Sequence, residues 1–125
     1  MSKYHFFAAR NLREATVTLK FDDLEKIVAV PAGTRLVATF PNIKTAFAGG
    51  TTELDIGILD DTDSIVDGVS LATAGLVMPT EAELIQPGYE TTAMTDIYVV
   101  AGASNTVGEV DVTLMLSFVS DTKLS

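Results

Sequence analysis

From Glu109 to Ser120 every second residue is apolar through five alternations, with Val110, Val112, Leu114, Leu116 and Phe118 on one face. A period of two belongs to an extended strand with one face on a core, because successive side chains leave a strand on opposite faces. The same pattern recurs in Thr16-Val17-Thr18-Leu19-Lys20-Phe21 and in Glu53-Leu54-Asp55-Ile56-Gly57-Ile58, while helical periodicity is nearly absent. A chain patterned this way is built for sheets. Lys26–Val30, Arg35–Ile43 and Asp96–Ala101 add β-branched and aromatic runs that read as strands, with Pro41 arguing for an edge or a bulge.

The breaks between these runs carry turn chemistry. They are Asp22–Glu25, Pro31-Ala32-Gly33-Thr34, Gly49-Gly50-Thr51-Thr52, the polar loop Asp60-Asp61-Thr62-Asp63, Gln86-Pro87-Gly88 and the small-residue loop Gly102–Gly108. Ser64–Met78 is compatible with short strands or with a single helical turn, Glu81–Ile85 is a further strand candidate, and Arg10–Ala15 allows one helical turn. The sum is seven to eight short strands in a chain of 125 residues, one domain's worth. The expected fold is all-β, a single β-sandwich or jelly-roll-like domain over residues 14–125, preceded by an N-terminal arm over residues 1–13.

Composition narrows what such a domain does. The residues are 47% hydrophobic and the mean hydropathy is +0.33, yet the longest uncharged stretches, Gly68–Thr80 and Ile97–Gly108, are too short to span a bilayer. No membrane partner is expected, and the opening residues carry no extended apolar stretch of a secretory signal. The surplus apolar surface points instead to a subunit interface. Seven of the eight basic residues fall within the first 44 positions, whereas Thr45 to Thr122 holds thirteen Asp or Glu and no Lys or Arg. A body of that sign repels nucleic acid, whose phosphates need clustered Lys or Arg. The negative surplus serves solubility, or a basic first segment docks on an acidic neighbour, another copy included.

Catalytic constellations fail for want of parts. Cysteine is absent and His5 is the single histidine, set among aromatic residues near the terminus, so neither a nucleophile–imidazole pair nor a thiolate metal site is available. Thirteen acids lie between Thr45 and Thr122, but nothing selects a glycosidase pair, and without Trp a sugar platform is poor. The glycine-rich stretches match no phosphate-binding fingerprint, so no cofactor is expected. Asp60, Asp61, Asp63 and Asp67 are the candidates for a cation site, since closely spaced carboxylates suit a hard cation, but Gly68 follows the last Asp where a calcium loop would need its closing Glu. No metal and no enzymatic activity are expected. The candidate interface is the arm itself. Tyr4, Phe6 and Phe7, beside Arg10 and Arg13, are costly to leave in water, and either fold back on their own sandwich or anchor in a neighbouring subunit.

The order of these motifs resembles a group of small structural proteins of tailed bacteriophages. The resemblance rests on Pro31-Ala32-Gly33-Thr34 leading into a strand, Phe47 before Gly49-Gly50-Thr51-Thr52, then Leu54-Asp55-Ile56-Gly57 and the Asp60–Asp63 loop. Asp96-Ile97-Tyr98-Val99, a Gly/Ala/Ser loop and Gly108-Glu109-Val110-Asp111-Val112 complete it, over about residues 26–120. The resemblance implies a virion component, foremost a capsid decoration (cement) protein. Such a protein is a homo-oligomer, often a trimer, seated on the outer capsid surface, bound to the major capsid protein and assembled in the host cytoplasm. The alternatives are a tail, neck or fibre-base component, or a glycan or host-surface binding module. It carries over no catalytic residues.

Overall fold

The computed structural model describes residues 10–119, which form eight strands and no helix. In chain order these are β1 (Arg10–Lys20), β2 (Glu25–Val30), β3 (Arg35–Ala48), β4 (Glu53–Ile58), β5 (Asp61–Ser70), β6 (Gly75–Leu76), β7 (Thr95–Ala101) and β8 (Val107–Val119). They pair, antiparallel throughout, into two four-stranded sheets: sheet A in the order β1-β8-β3-β6 and sheet B in the order β2-β7-β4-β5. Every connection crosses between sheets except the β4–β5 hairpin, which is the winding of an eight-stranded jelly roll.

The alternation explains the layers. Val110, Val112, Leu114 and Leu116 of β8 point inward beside Leu19 of β1 and Leu36 and Ile43 of β3. They meet Leu54 and Ile56 of β4, Val66 and Val69 of β5, and Ile97 and Val99 of β7 from the other sheet. Each such side chain, fully withdrawn from water, stabilises the fold by about 1.5–3 kcal/mol before chain entropy is counted. Phe47, the largest fully buried side chain, lies across Gly108 of β8, whose φ of 148° and missing Cβ leave the space for the ring.

Strand directions give the sandwich two ends. At the Arg10 end lie the start of β1, the finish of β8, the β2–β3 turn and the β4–β5 turn. At the Asn105 end lie the connections through residues 21–24, 49–52 and 102–106. The Asn105 side chain knits that end: its Oδ1 accepts from the Gly50 N–H at 3.2 Å, and its Nδ2 donates to the carbonyls of Thr51 at 2.8 Å and Gly102 at 3.0 Å. At the other end the Pro31–Thr34 turn is held by Thr34 and Thr91, whose hydroxyls both donate to the Pro31 carbonyl.

Three expectations change. β1 begins at Arg10, and residues 1–9 of the expected arm lie outside the described residues. Arg10–Ala15 is strand rather than helical turn, drawn out by pairing with Leu114–Val119 of the strongly alternating β8. Asp61, Thr62 and Asp63 belong to β5, not to a loop. The turn is the pair Leu59-Asp60, with Asp60 in the left-handed region at φ 74° that Asp tolerates. Glu81–Ile85 opens as a capped turn instead of a strand, Glu83 Oε1 accepting from the Thr80 N–H at 2.7 Å while Thr80 Oγ1 accepts from the Glu83 N–H at 3.3 Å. Pro41 lies between two bulges of β3, with its carbonyl taken by the Val77 N–H on the side of the two-residue β6, where a missing N–H costs little.

Candidate interaction surfaces

The charge asymmetry of the sequence becomes an asymmetry between sheets. The strands of sheet A carry five basic residues (Arg10, Arg13, Lys20, Arg35, Lys44) against Glu14, Glu109 and Asp111. Those of sheet B carry Lys26 alone against seven acids, Glu25, Glu53, Asp55, Asp61, Asp63, Asp67 and Asp96. Sheet A pairs part of its charge, Lys44 with acids of its own outer face and Arg35 with a neighbouring loop. Lys44 Nζ lies 2.9 Å from Asp111 and 3.9 Å from Glu109, and Arg35 pairs with Glu90 at 3.1 Å. The Thr18 hydroxyl donates to Asp111 at 2.7 Å, and this bond, with Lys44 second, holds the Asp111 carboxyl below its ordinary range.

Sheet B leaves its acids to one another. Burial pushes the Asp55 carboxyl up; the Gly68 N–H, donating at 2.8 Å, opposes that shift, while Asp67, Asp63 and Glu53 add to it. Asp61 is raised chiefly by its hydrogen bond with Asp63. Of the four cation candidates, Asp60 sits in the turn while Asp61, Asp63 and Asp67 are strung along β5. Among the described residues, no group of three or more His, Cys, Asp or Glu is arranged to hold a metal ion. Nor is any helix there long and apolar enough to cross a membrane.

Of the expected arm residues, Tyr4, Phe6 and Phe7 lie outside the described residues. Arg10 is the first residue of β1, and Arg13 is exposed on the same strand opposite Leu116. The structure adds apolar surface that the sequence did not single out, most of it toward the Arg10 end. Leu59 (65% exposed) and Met94 (81% exposed) flank Tyr98 on a shallow groove with Asp96 at its rim, and Ile27 pairs with Tyr98 across the outer face of sheet B. Leu12 is 58% exposed on β1.

A second concavity is deeper and sits at the edge of sheet A, between β3 and the segment that crosses β5. It is a cavity of about 120 Å³ lined by Leu36, Val37 and Thr39 on one side, Ile65 and Leu84 below, and Met78, Pro79 and Pro87 at its two flanks. Val37 (51% exposed) and Met78 (56% exposed) form an apolar rim. The hydropathy of the chain demands some such outlet, but Leu59, Met94 and Met78 stand in turns or loops where no alternation marks them, so only the fold assigns the place.

No family model matches the sequence, and no curated protein resembles it in sequence. The fold has solved counterparts. A chain in the capsid asymmetric unit of cyanophage Pam1 superposes with a TM-score of 0.59 at 16% identity, over 94% of this chain and 91% of that one. A chain in the acid-stable capsid structure of the Helicobacter pylori bacteriophage KHP30 gives 0.53 at 15% identity, over 88% and 95%. Near-complete coverage in both directions means that the matched chains are single sandwiches of almost this size. At these identities the likeness establishes the shared fold.

Proposed function

We propose that this chain is a structural protein of a phage virion, a decoration (cement) protein that assembles as a homo-oligomer, a trimer by resemblance, on the outer surface of the capsid and binds the major capsid protein. The observation that carries this reading is the end-to-end likeness to small chains within two phage capsids, joined to the motif order that resembles tailed-phage structural proteins. The physics of the surface agrees with it. Large apolar side chains stand exposed around a well-packed core, Leu12, Leu59 and Met94 among them toward the Arg10 end, which suits burial against a partner rather than turnover of a substrate. A protein that binds only the mature lattice stabilises it by mass action, by about 4 kcal/mol at a concentration a thousandfold above its Kd. In this reading Tyr4, Phe6 and Phe7 anchor in a neighbouring subunit, with Arg10 and Arg13 steering them.

The test is a cryo-EM reconstruction of the particle that carries this protein. Density for the sandwich on the outside of the shell, at stoichiometric positions over the major capsid lattice, is the expected result. Density confined to the tail or neck makes it a tail component instead, and absence from purified particles removes the virion role altogether.

A further inference from the structure

The slot at the edge of β3 is a break in sheet A. β8 covers one side of β3 along its length, but the other side is covered only in pieces. At one end Val77 donates to the Pro41 carbonyl, and at the other Tyr89 accepts from the Leu36 N–H. Among the described residues no strand runs beside β3 between these two contacts. In an antiparallel ladder, alternate residues turn their peptide groups to opposite edges. The Pro41 carbonyl faces outward, away from β8, so the Thr39 N–H and C=O two residues earlier face the same way, into the gap.

The gap also resists closure from within. Both flanks carry a proline, Pro79 and Pro87, which has no N–H to offer a strand edge, and a Cβ at Gly88 would meet nothing within 4 Å. Behind the open edge lies the apolar cavity of about 120 Å³, close to the roughly 150 Å³ that takes a benzene ring in a protein core. Thr39 is only 4% exposed, so an occupant first meets the apolar rim of Val37 and Met78; the ring-sized apolar hole behind that rim is what an aromatic side chain of an extended segment fits, with the unpaired Thr39 peptide group beside it.

We propose that this slot receives the segment Met1–Ala9 of a second copy of the chain, with Thr39 offering its peptide group and the cavity between Leu36, Ile65 and Leu84 taking one ring from Tyr4, Phe6 or Phe7. Three observations select that occupant. The segment holds three of the nine aromatic residues of the whole chain, in a run where Tyr4 and Phe6 alternate as a strand requires. It enters the fold at Arg10, opposite Val119, at the same end of sheet A as the slot. It contains no Gly, Pro, Asn or Asp, so nothing in it favours the tight reversal by which it would return to its own β3 across β8. Six residues separate Arg10 from Tyr4, a span of at most about 20 Å for a fully extended chain, far enough to reach a neighbour. A contact of one copy's arm with another copy's slot is heterologous, and such contacts make a ring when the rotation between copies closes and an open filament when it does not.

The proposal rests on the arm reading above but not on the capsid, and it is tested on the purified protein. The chain has no cysteine, so introduced thiols report without background. His5→Cys is placed in one copy and Met78→Cys in a second copy enlarged by a tag, and the two are co-expressed and oxidised. The expected result is a disulfide-linked heterodimer of intermediate size, lost when the tagged copy also carries Val37→Asp at the slot rim. Placing His5→Cys and Met78→Cys in a single chain and obtaining an intrachain bond with no heterodimer overturns the exchange in favour of self-closure. No bond in either arrangement overturns the slot as the receptor. A negative result in solution leaves the particle reconstruction to decide the virion role separately.

Discussion

The two ends of the sandwich solve opposite problems. At the Asn105 end, a single side chain ties the connections 49–52 and 102–106, close backbone packing adds to it, and the Phe47 ring closes the core over Gly108. At the Arg10 end, the Thr34–Thr91 pair fixes one corner, while Leu12, Leu59 and Met94 stand in solvent and the edge of β3 is left open. The lesson is that stability and surface stickiness are separated along one axis: the first end holds the fold, and the second has apolar area to spare for a partner.

Substitutions that break this contrast rank themselves. Gly108→Ala should be the most damaging, because it drives a Cβ into the Phe47 ring at a φ that disfavours side chains. A loss of about 3 kcal/mol or more in urea unfolding is expected, and a loss below about 1 kcal/mol would deny that end its holding role. Asn105→Ala comes next. It strips the partner from one part-buried N–H and from two carbonyls, and a cost of about 1–3 kcal/mol is expected by the same measurement.

Asp55→Asn tests the uncompensated acids of sheet B and should act in the opposite sense. The amide oxygen keeps the bond from Gly68 while the buried charge goes, so stability at neutral pH should rise, by less than about 1 kcal/mol at a partly exposed site. The sign of its pH dependence follows from the raised folded-state pKa. The wild-type penalty is present above that pKa and fades as pH falls through it, so the advantage of the variant should shrink on acidification. Thermal scans at neutral and acid pH read this directly. Smallest in stability is the pair Leu59→Ser with Met94→Ser, expected within about 0.5 kcal/mol of wild type because neither side chain is in the core. Its effect should appear in a binding assay on particles, as reduced incorporation.

What the sequence disclosed follows from where a local pattern sufficed. Glu53–Ile58 is legible to the residue, since alternation and flanking turns mark both its ends, and the expected all-β sandwich is the observed class. Arg10–Ala15 was not legible, because its strand state is imposed by β8, a partner far along the chain. Asp61–Asp63 misleads for a related reason: two acids and a threonine after Asp60 look like a loop, but β4 supplies the pairing that holds them extended. The open edge at Thr39 is invisible in sequence, since it depends on which segments cover β3 and where prolines fall among them. Of the interface residues picked from sequence, Arg10 and Arg13 lie on β1, Arg13 exposed, and the aromatic trio falls outside the described residues, so their interface role stands as a proposal.

The central claim, that the Arg10 end is where this protein meets its partners, is tested most directly by amide hydrogen exchange on the free and the particle-bound protein. The account predicts new protection at Val37–Thr39 and around Leu59 and Met94 on assembly, with the Asn105 loop already slow and unchanged. Protection gained instead at residues 49–52 and 102–106, with the Arg10 end unaltered, would contradict it.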